Sequence, residues 1–437
     1  MLISPIKKAL WEPMKVVSNV TFLETQGRAM IIDRCPNVVQ GFFRPFKRAL
    51  SKKQYAHLWA LVLALAINLR RANILSLAVL LPEAGHRTSH GGFLRSDWDA
   101  AAVVEATAWR MLADMQPQPG EVLYLLIDDT RMLKRGKKMG LLSKIWDHKE
   151  QKFGRGHIAL TGAMEFRGVV LPWRLELWKP KKVTGTRAYV KLTAMAAAMI
   201  RDFQPPVGVT VRVLFDAFYL CPEVTKTCES RGFTWFSVAS KNRTFTAGGQ
   251  RRKIGRFATG RLRHRGHTAR MTRAGKRQIR LRLTACDGHL ARIGAVRMVL
   301  SKRPWDRWKN LVAIVTNETG LTDREIVALY ERRWSIEVLF KELKEQLGLG
   351  DYQVISQDAI LKHLHLVCLA HLLLTHHAME GVGEKARMAK TVVPLPTMKH
   401  RLDALRRAIK NEQIQRFFRR KPHARMFRKL KTYLLAA

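Results

Sequence analysis

The stretches VLYLLIDDT (residues 122–130) and VRVLFDAFY (residues 211–219) share one pattern. Each is a short run of apolar residues that ends in an acid, Asp128 in the first and Asp216 in the second. A run this short, bounded by turn signals, predicts a strand that is buried on both faces. A carboxylate at the end of such a strand is costly unless it is paired or binds a cation. The two stretches therefore predict a buried sheet with two functional acids at strand ends.

Further strands and helices are predicted around these two stretches. HIALTGAMEF and VVLPWRLELW, residues 157–166 and 169–178, are strand-like and are separated by Arg167-Gly168, a plausible hairpin turn. Helical stretches at 188–203 and 222–230 flank the second acid-ended strand, and FTWFSVAS follows as a last strand. This order matches an RNase H-like core, an α/β fold in which a mixed sheet is flanked by helices.

The charge of the chain is strongly unbalanced. The 437 residues include 78 Lys+Arg against 34 Asp+Glu, a formal net charge of +44, which favours a polyanionic partner such as nucleic acid. No acid occurs between Arg231 and Ala285, whereas residues 251–282 alone contain 13 Lys+Arg. We interpret this stretch as part of a basic, β-rich insertion, with Arg251, Arg252 and Lys253 as candidate DNA-binding residues. Its contribution to binding should fall steeply with salt.

Changes in pattern along the chain suggest five regions. We expect a helical DNA-binding domain at 1–116, the first part of the core at 117–240, and the basic β-rich insertion at 241–319. The second part of the core follows at 320–380, and a basic helical tail at 381–437. The apolar stretches fall short of the roughly 20 residues needed to span a bilayer. The five cysteines are scattered and form no CxxC pair, which argues against a disulfide framework or a structural zinc site. We therefore expect a cytoplasmic, nucleoid-associated protein without a membrane partner.

Residues 322–349, TDREIVALYERRWSIEVLFKELKEQLGL, are the most informative segment outside the two acid-ended strands. Thr322 followed three residues later by Glu325 is a capping box, which predicts that a helix begins here. On a continuous helix, four polar residues share a stripe about 60° wide that borders the apolar face. They are Tyr330, Arg333, Glu337 and Lys344.

A third acid can thus join the two at the strand ends. Asp128, Asp216 and Glu337 would form an all-oxygen cluster suited to magnesium or manganese. Two such ions about 4 Å apart could activate an attacking oxygen and stabilise a leaving one in a displacement at phosphorus. Each acid taken alone is as well explained as a cap or an exposed ion pair, and it is the set of three that favours a metal site.

The spacing Tyr-x2-Arg-x3-Glu-x6-Lys in YERRWSIEVLFKELK resembles the signature of the bacterial insertion-sequence DDE transposases of the Tyr-Arg-Glu-Lys class. In that family the first acid precedes a Thr by two positions, which selects Asp128 in Asp128-Asp129-Thr130. Asp129 stays as the alternate metal ligand, because strand alternation directs only one of the two into the cluster. The resemblance covers residues 120–350.

The resemblance implies a cut-and-paste reaction on double-stranded DNA. A metal-activated water nicks at the terminal inverted repeat, the freed 3′-hydroxyl forms a hairpin that is then opened, and the 3′ end joins target DNA. It further implies a homodimer in a paired-end complex and Mg²⁺, replaceable by Mn²⁺, as a pair of catalytic ions. Tyr330, Arg333 and Lys344 would contact the DNA backbone. Trp305 and Trp308 are candidates for stacking on a flipped base, although they could equally pack the insertion against the core.

Two other functions stay open from the sequence alone. One is a non-catalytic, transposase-derived repressor that binds DNA. The other is an RNase H-like nuclease or resolvase that cuts without strand transfer. The three acids argue against the repressor, and the long insertion with the signature helix argues against the nuclease.

Overall fold

The computed structural model of the chain describes residues 34–68, 72–73, 77, 87–136, 138–147, 151–273, 277–382, 393 and 395–419. Within these residues, twelve strands join in one mixed sheet that is packed with helices. The ends of the expected N-terminal domain and tail, residues 1–33 and 420–437, lie outside the described residues, as does the tip of the basic insertion at 274–276.

The strands include both acid-ended stretches. They are β1 Val122–Lys134, β2 Ser143–Asp147, β3 Lys152–Phe166, β4 Val169–Leu177, β5 Thr210–Phe215, β6 Thr234–Val238, β7 Thr244–Ala247, β8 Gln250–Lys253, β9 His267–Arg273, β10 Arg277–Leu290, β11 Gly294–Lys302 and β12 Val312–Thr316. The short strand β2, in a loop that the sequence left without structure, is an addition to the predicted order.

The helices lie before, between and after the strands. They are α1 Asn37–Phe43, α2 Lys52–Ile67, α3 Arg87–Arg95, α4 Ala100–Ala113, α5 Lys181–Thr184, α6 Leu192–Asp202, α7 Pro222–Ser230, α8 Ile254–Arg265, α9 Asp323–Glu331, α10 Trp334–Lys341, α11 Gln357–Val382 and α12 Met398–Arg419.

The centre of the sheet has the topology that positions the acids. In the order β4-β3-β1-β5-β6, strand β1 is antiparallel to β3 and parallel to β5, which is parallel to β6. This mixed arrangement is consistent with an RNase H-like domain. The β3–β4 hairpin turns at Arg167 and Gly168, as predicted, and both residues have positive φ angles of 48° and 80°.

The basic insertion extends the same sheet. Strand β12 pairs antiparallel with β6, and the sheet continues outward through β11, β10, β7 and β8. The β-rich insertion also contains helix α8, which the sequence analysis did not predict. Ile254, Ala258 and Leu262, spaced four residues apart, are the buried residues of this helix.

The long helix α11 joins the N-terminal helices to the sheet. It packs against α2 and α4 from the N-terminal region and against β4 of the sheet, so these elements share one buried apolar core. By length and composition alone α11 could cross a membrane, with a mean hydropathy of 1.3, but 89% of the most apolar window is buried. Its burial is that of a helix in the core of a folded domain.

The signature segment is helical but not one regular helix. It begins at Thr322, whose side chain and that of Glu325 form the predicted capping box. Helix α9 gives way to α10 at Arg332 and Arg333, and residues Glu342–Gln346 form a π-helical turn. The expectation of a continuous helix was therefore wrong at these two places.

The hairpin turn provides a test of the fold. We expect Gly168→Ala to lower the free energy of unfolding by about 1–2 kcal/mol, because an L side chain is strained in the left-handed region. Gly41→Ala, in the exposed face of helix α1 where a Cβ meets nothing within 4 Å, should raise it by about 0.5–1 kcal/mol. Urea unfolding of the two variants measures both, and equal effects would contradict the assigned turn.

Candidate active site

Asp128 and Asp216 lie side by side where the parallel pairing of β1 with β5 ends, at what we call the acid edge of the sheet. Ile127 of β1 is paired in parallel register with Phe215, the last residue of β5, and each acid is the next residue along the chain. Strand β1 continues past Asp128 to Lys134, where it is still paired with β3, so the expectation that Asp128 ends its strand was wrong. The backbone N–H of Asp129 donates to Asp128 Oδ1 at 2.8 Å, and that of Phe218 donates to Asp216 Oδ1 at 2.8 Å. Both carboxylates are thus oriented by the backbone that follows them.

Arg333 links the first acid to the third. Its Nη1 atom donates to Asp128 Oδ2 at 3.2 Å, and its Nη2 atom donates to Glu337 Oε1. The side chains of Arg333 and Asp128 are each only 16% exposed. Because one planar guanidinium contacts both carboxylates, they lie less than about 1 nm apart.

The surroundings of Asp128 disfavour its ionised form. Burial, and next the neighbouring Asp216, raise the pKa of Asp128 to about 7, while the backbone N–H of Asp129 and the cation of Arg333 oppose the shift. A carboxyl group whose ionised form is disfavoured in this way gains from a further cation. The pair Asp128–Asp216 is therefore a place where positive charge is stabilising.

Asp129 has a different set of partners. The buried phenol of Tyr219 donates a hydrogen bond to Asp129 Oδ1 at 2.9 Å. Burial raises the pKa of Asp129, and the hydrogen bond from Tyr219 opposes that shift. Because Asp129 is held by Tyr219 while Asp128 contacts Arg333, the geometry favours Asp128 as the acid that faces Glu337.

The other two signature residues also lie at this edge. The hydroxyl of Tyr330 donates to the backbone oxygen of Phe215 at 3.4 Å, and burial raises the pKa of Tyr330 to about 12. Burial lowers the pKa of Lys344, and the charge of nearby Asp129 opposes that change. The structure thus brings Tyr330, Arg333, Glu337 and Lys344 to the two acid-ended strands.

The three acids do not converge into a closed metal cage. Among the described residues, no group of three or more His, Cys, Asp or Glu side chains is arranged to hold a metal ion. At this site the guanidinium of Arg333 contacts both Asp128 and Glu337. The donors nevertheless fit a hard divalent cation, because all are carboxylate oxygens and because burial beside Asp216 disfavours the ionised form of Asp128, which a cation would stabilise.

The two candidate stacking residues lie near the same edge of the sheet. Asp216, Val238 at the end of β6 and Ile314 of β12 are level across the sheet, and the loop 303–311 precedes β12. Two strand spacings, about 10 Å, separate β12 from β5. Trp305 is 68% exposed, whereas Trp308 is 36% exposed and has Lys302 Nζ 5.3 Å from its ring centroid.

Arg251, Arg252 and Lys253 are not part of this site. All three are exposed on β8, which is six strands from β5 in the sheet. That separation is on the order of 30 Å. Any contact they make with DNA is therefore remote from the acids.

Two residues near the acids were missed in the sequence analysis. Tyr219 follows Asp216 by three positions, and only its long-range hydrogen bond to Asp129 reveals its position. Trp334 is 56% exposed and lines a cavity of about 420 Å³ with Arg333, His371 and Arg401. Its place directly after Arg333 was a signal that could have found it.

The family comparison agrees with this geometry. A family model described as "Transposase DDE domain" matches residues 123–373, which is more than half of the chain. The match spans both acid-ended strands, the insertion and the signature segment. The chain belongs to the transposase DDE domain family. A search of curated proteins found no match to the chain.

The raised pKa of Asp128 predicts a pH dependence in the absence of divalent cations. Between its ordinary value of about 4 and about 7, the folded protein binds this proton and the unfolded chain does not. The stabilising contribution is therefore full below about pH 4 and is lost as the pH rises to about 7. We expect Asp128→Asn to melt close to the wild-type temperature at pH 4 and above it at higher pH, by a margin that widens up to about pH 7 and is kept at pH 8 in EDTA.

Asp287→Asn is the matched control for this measurement. Asp287 is 60% exposed and paired with Arg297 on the neighbouring strand, far from the acids. Its substitution should leave the pH dependence of melting as in the wild type. If the melting temperature of Asp128→Asn varied with pH as that of the wild type does, the pH dependence would not come from Asp128.

Proposed function

We propose that this chain is a hairpin-forming, cut-and-paste transposase of the Tyr-Arg-Glu-Lys class, which excises an insertion sequence and joins it to target DNA. One observation carries the proposal: Arg333 joins Glu337 to Asp128, which lies beside Asp216 where the parallel pairing of β1 with β5 ends. These residues come from three distant parts of the chain and match the order of acids in the DDE family.

The signature cations are suited to hold the DNA backbone near the acids. Arg333 presents a planar fork that binds phosphate oxygens in a bidentate manner, and Lys344 adds a point charge. The phenol of Tyr330, whose pKa is raised to about 12, is protonated at neutral pH, and it would donate to a phosphate oxygen by turning from its long bond to the backbone oxygen of Phe215. These contacts would place the scissile phosphate against Asp128 and Asp216.

The acids would hold divalent cations. Asp128 and Asp216 are the proposed ligands with Glu337 as the third, Asp129 is the alternate for Asp128, and the ions are Mg²⁺, replaceable by Mn²⁺, in a pair. When bound, such ions lower the pKa of the attacking water or hydroxyl and stabilise the leaving oxygen. The protein's part is to fix the carboxylates by the backbone hydrogen bonds that follow Asp128 and Asp216.

Hairpin formation bends one DNA strand sharply, and flipping a base relieves that strain. Trp305, the more exposed of the two tryptophans, offers a ring face for stacking at the acid edge of the sheet. Trp308 lies between the cations of Lys302 and Arg263, at 5.3 and 5.7 Å from its ring centroid, and would hold this loop beside the phosphates.

The remaining surfaces fit the same reaction. Excision of an element requires two ends, so we propose a DNA-bound homodimer in which the helical N-terminal region, residues 1–116, binds the terminal inverted repeats. The five regions given by the sequence stay our proposal for the domain organisation. The place of action would be the cytoplasm, at the nucleoid.

Replacing the third acid tests the function. With magnesium and a DNA fragment that carries the terminal inverted repeats, the wild type should give hairpin-capped ends on a denaturing gel. Glu337→Gln should reduce cleavage by about 10²–10³-fold and leave DNA affinity within about twofold, since the substitution removes a charge and not shape. Glu345→Gln, whose side chain is 59% exposed in the same segment, is the control and should cleave normally.

Other outcomes of this experiment would replace the proposal. Cleavage without hairpins would favour a nuclease or resolvase, and binding without cleavage by the wild type would favour a repressor. Full cleavage by Glu337→Gln would show that the third acid has been placed wrongly.

The basic strand β8 predicts a salt effect. We expect replacement of Arg251, Arg252 and Lys253 by Ala to make the slope of log affinity against log salt shallower by about 2–3, if each cation neutralises one phosphate. Cleavage at saturating DNA should persist, because β8 lies on the order of 30 Å from the acids. Gln250→Ala, on the same exposed strand, should leave the slope unchanged, and an unchanged slope in the triple variant would rule out this contact.

A further inference from the structure

The junction between α9 and α10 is a tightened turn. The backbone N–H of Arg332 donates to Leu329 O at 3.1 Å, that of Arg333 donates to Tyr330 O at 3.0 Å, and that of Ser335 donates to Arg332 O at 2.9 Å. These bonds reach back three residues, as in a 3₁₀-helix, rather than four. The tightening changes the direction in which α10 presents Glu337, so whatever holds this turn also sets the position of that acid.

Two neighbouring arginines fix the turn to two strands of the sheet. Arg333 contacts Asp128 on β1, and Arg332 Nη1 donates to Glu165 Oε1 on β3 at 2.5 Å. Glu165 is paired with Tyr124 of β1, four residues before Asp128, so both anchors lie on the same face of the sheet. Four residues of strand separate them by about 13 Å. The turn is thus held by Glu165 and Asp128 at two points along the direction of strand β1.

The buried carboxylate of Glu165 depends on Arg332 for a compensating positive charge. It is 2% exposed, and its second carboxylate oxygen has no hydrogen-bond partner among the described residues. Burial raises the pKa of Glu165, and the charge and hydrogen bond of Arg332 oppose that change. The guanidinium of Arg332 also lies 4.8 Å from the centroid of the Tyr124 ring. A buried carboxylate with a single cationic partner holds that partner firmly, because separation would leave it uncompensated.

We propose that Glu165 is a positioning residue for DNA cleavage, which it serves through Arg332 by fixing the tightened turn that aims Arg333 and Glu337 at Asp128. This inference rests on the proposed function, because it assigns a role in the same cleavage reaction. Glu165 is buried and lies about 13 Å along the strand from Asp128, so it would act on the acids through Arg332 and not by contact with DNA. Its effect is therefore on the rate of the chemical step and on the use of the metal, not on DNA affinity.

The experiment uses the full chain, magnesium and the inverted-repeat fragment. Cleavage by Glu165→Gln at saturating DNA should be about 10–100-fold slower than by the wild type, since a misplacement of about 1 Å in a catalytic site has effects of this size. The magnesium concentration for half-maximal rate should rise severalfold, and the affinity for DNA should stay within about twofold. A purely structural role would reduce the folded fraction and leave the magnesium dependence unchanged, which would overturn the inference.

The double variant Glu165→Gln/Arg332→Gln keeps the test valid if the single variant folds poorly, because it leaves no unpaired charge in the core. It should be no slower than Glu165→Gln, since the two residues act as a unit, whereas independent, multiplying losses would overturn the inference. Asp287→Asn, which removes the exposed ion pair with Arg297, is the control and should cleave at the wild-type rate. If the wild type itself fails to cleave, the proposed function fails. A wild type that cleaves, together with an equally active Glu165→Gln, refutes the positioning role alone.

Discussion

One guanidinium group, that of Arg333, holds together two carboxylates that would otherwise repel each other. It contacts Asp128 within strand β1 and Glu337 on a helix that is distant in the sequence. Negative charge at buried strand ends is tolerated only where cations meet it. The backbone hydrogen bonds of the two aspartates, the phenol of Tyr219 against Asp129 and the anchored turn at Arg332 all contribute to this balance of charge. Metal and phosphate would enter a site in which Arg333 already pairs two of the three acids.

Local patterns were sufficient to predict much of the fold. The apolar runs before Asp128 and Asp216 are strands, the hairpin turns at Arg167 and Gly168, and the capping box at Thr322 begins a helix, because each depends on residues that are close in sequence. Helix α8 was not predicted although Ile254, Ala258 and Leu262 have helical spacing, because three apolar positions among basic residues and glycines are a weak periodic signal.

The parts that could not be predicted depend on contacts between distant residues. Nothing local shows that the signature segment tightens at Arg332 and Arg333, because that turn is held by Glu165 and Asp128 on two strands. The hydrogen bond from Tyr219 to Asp129, which gives the two adjacent acids different partners, is equally invisible in the sequence. The three acids and the four signature residues could be proposed from the sequence, whereas their arrangement depends on tertiary ion pairs.

The continuity of the sheet has a mechanical consequence. Because β12 is hydrogen-bonded to β6, the loop that carries Trp305 and Trp308 is joined to the strands that carry the acids by a stiff ladder and not by a hinge. The distance between the tryptophan loop and the acids is therefore fixed by the strand pairing. A double helix that engages both must adapt its own shape to that fixed interval, and base steps that unstack easily would do so at the lowest energy. On this view, the protein would discriminate among element ends partly by how readily their terminal base pairs deform.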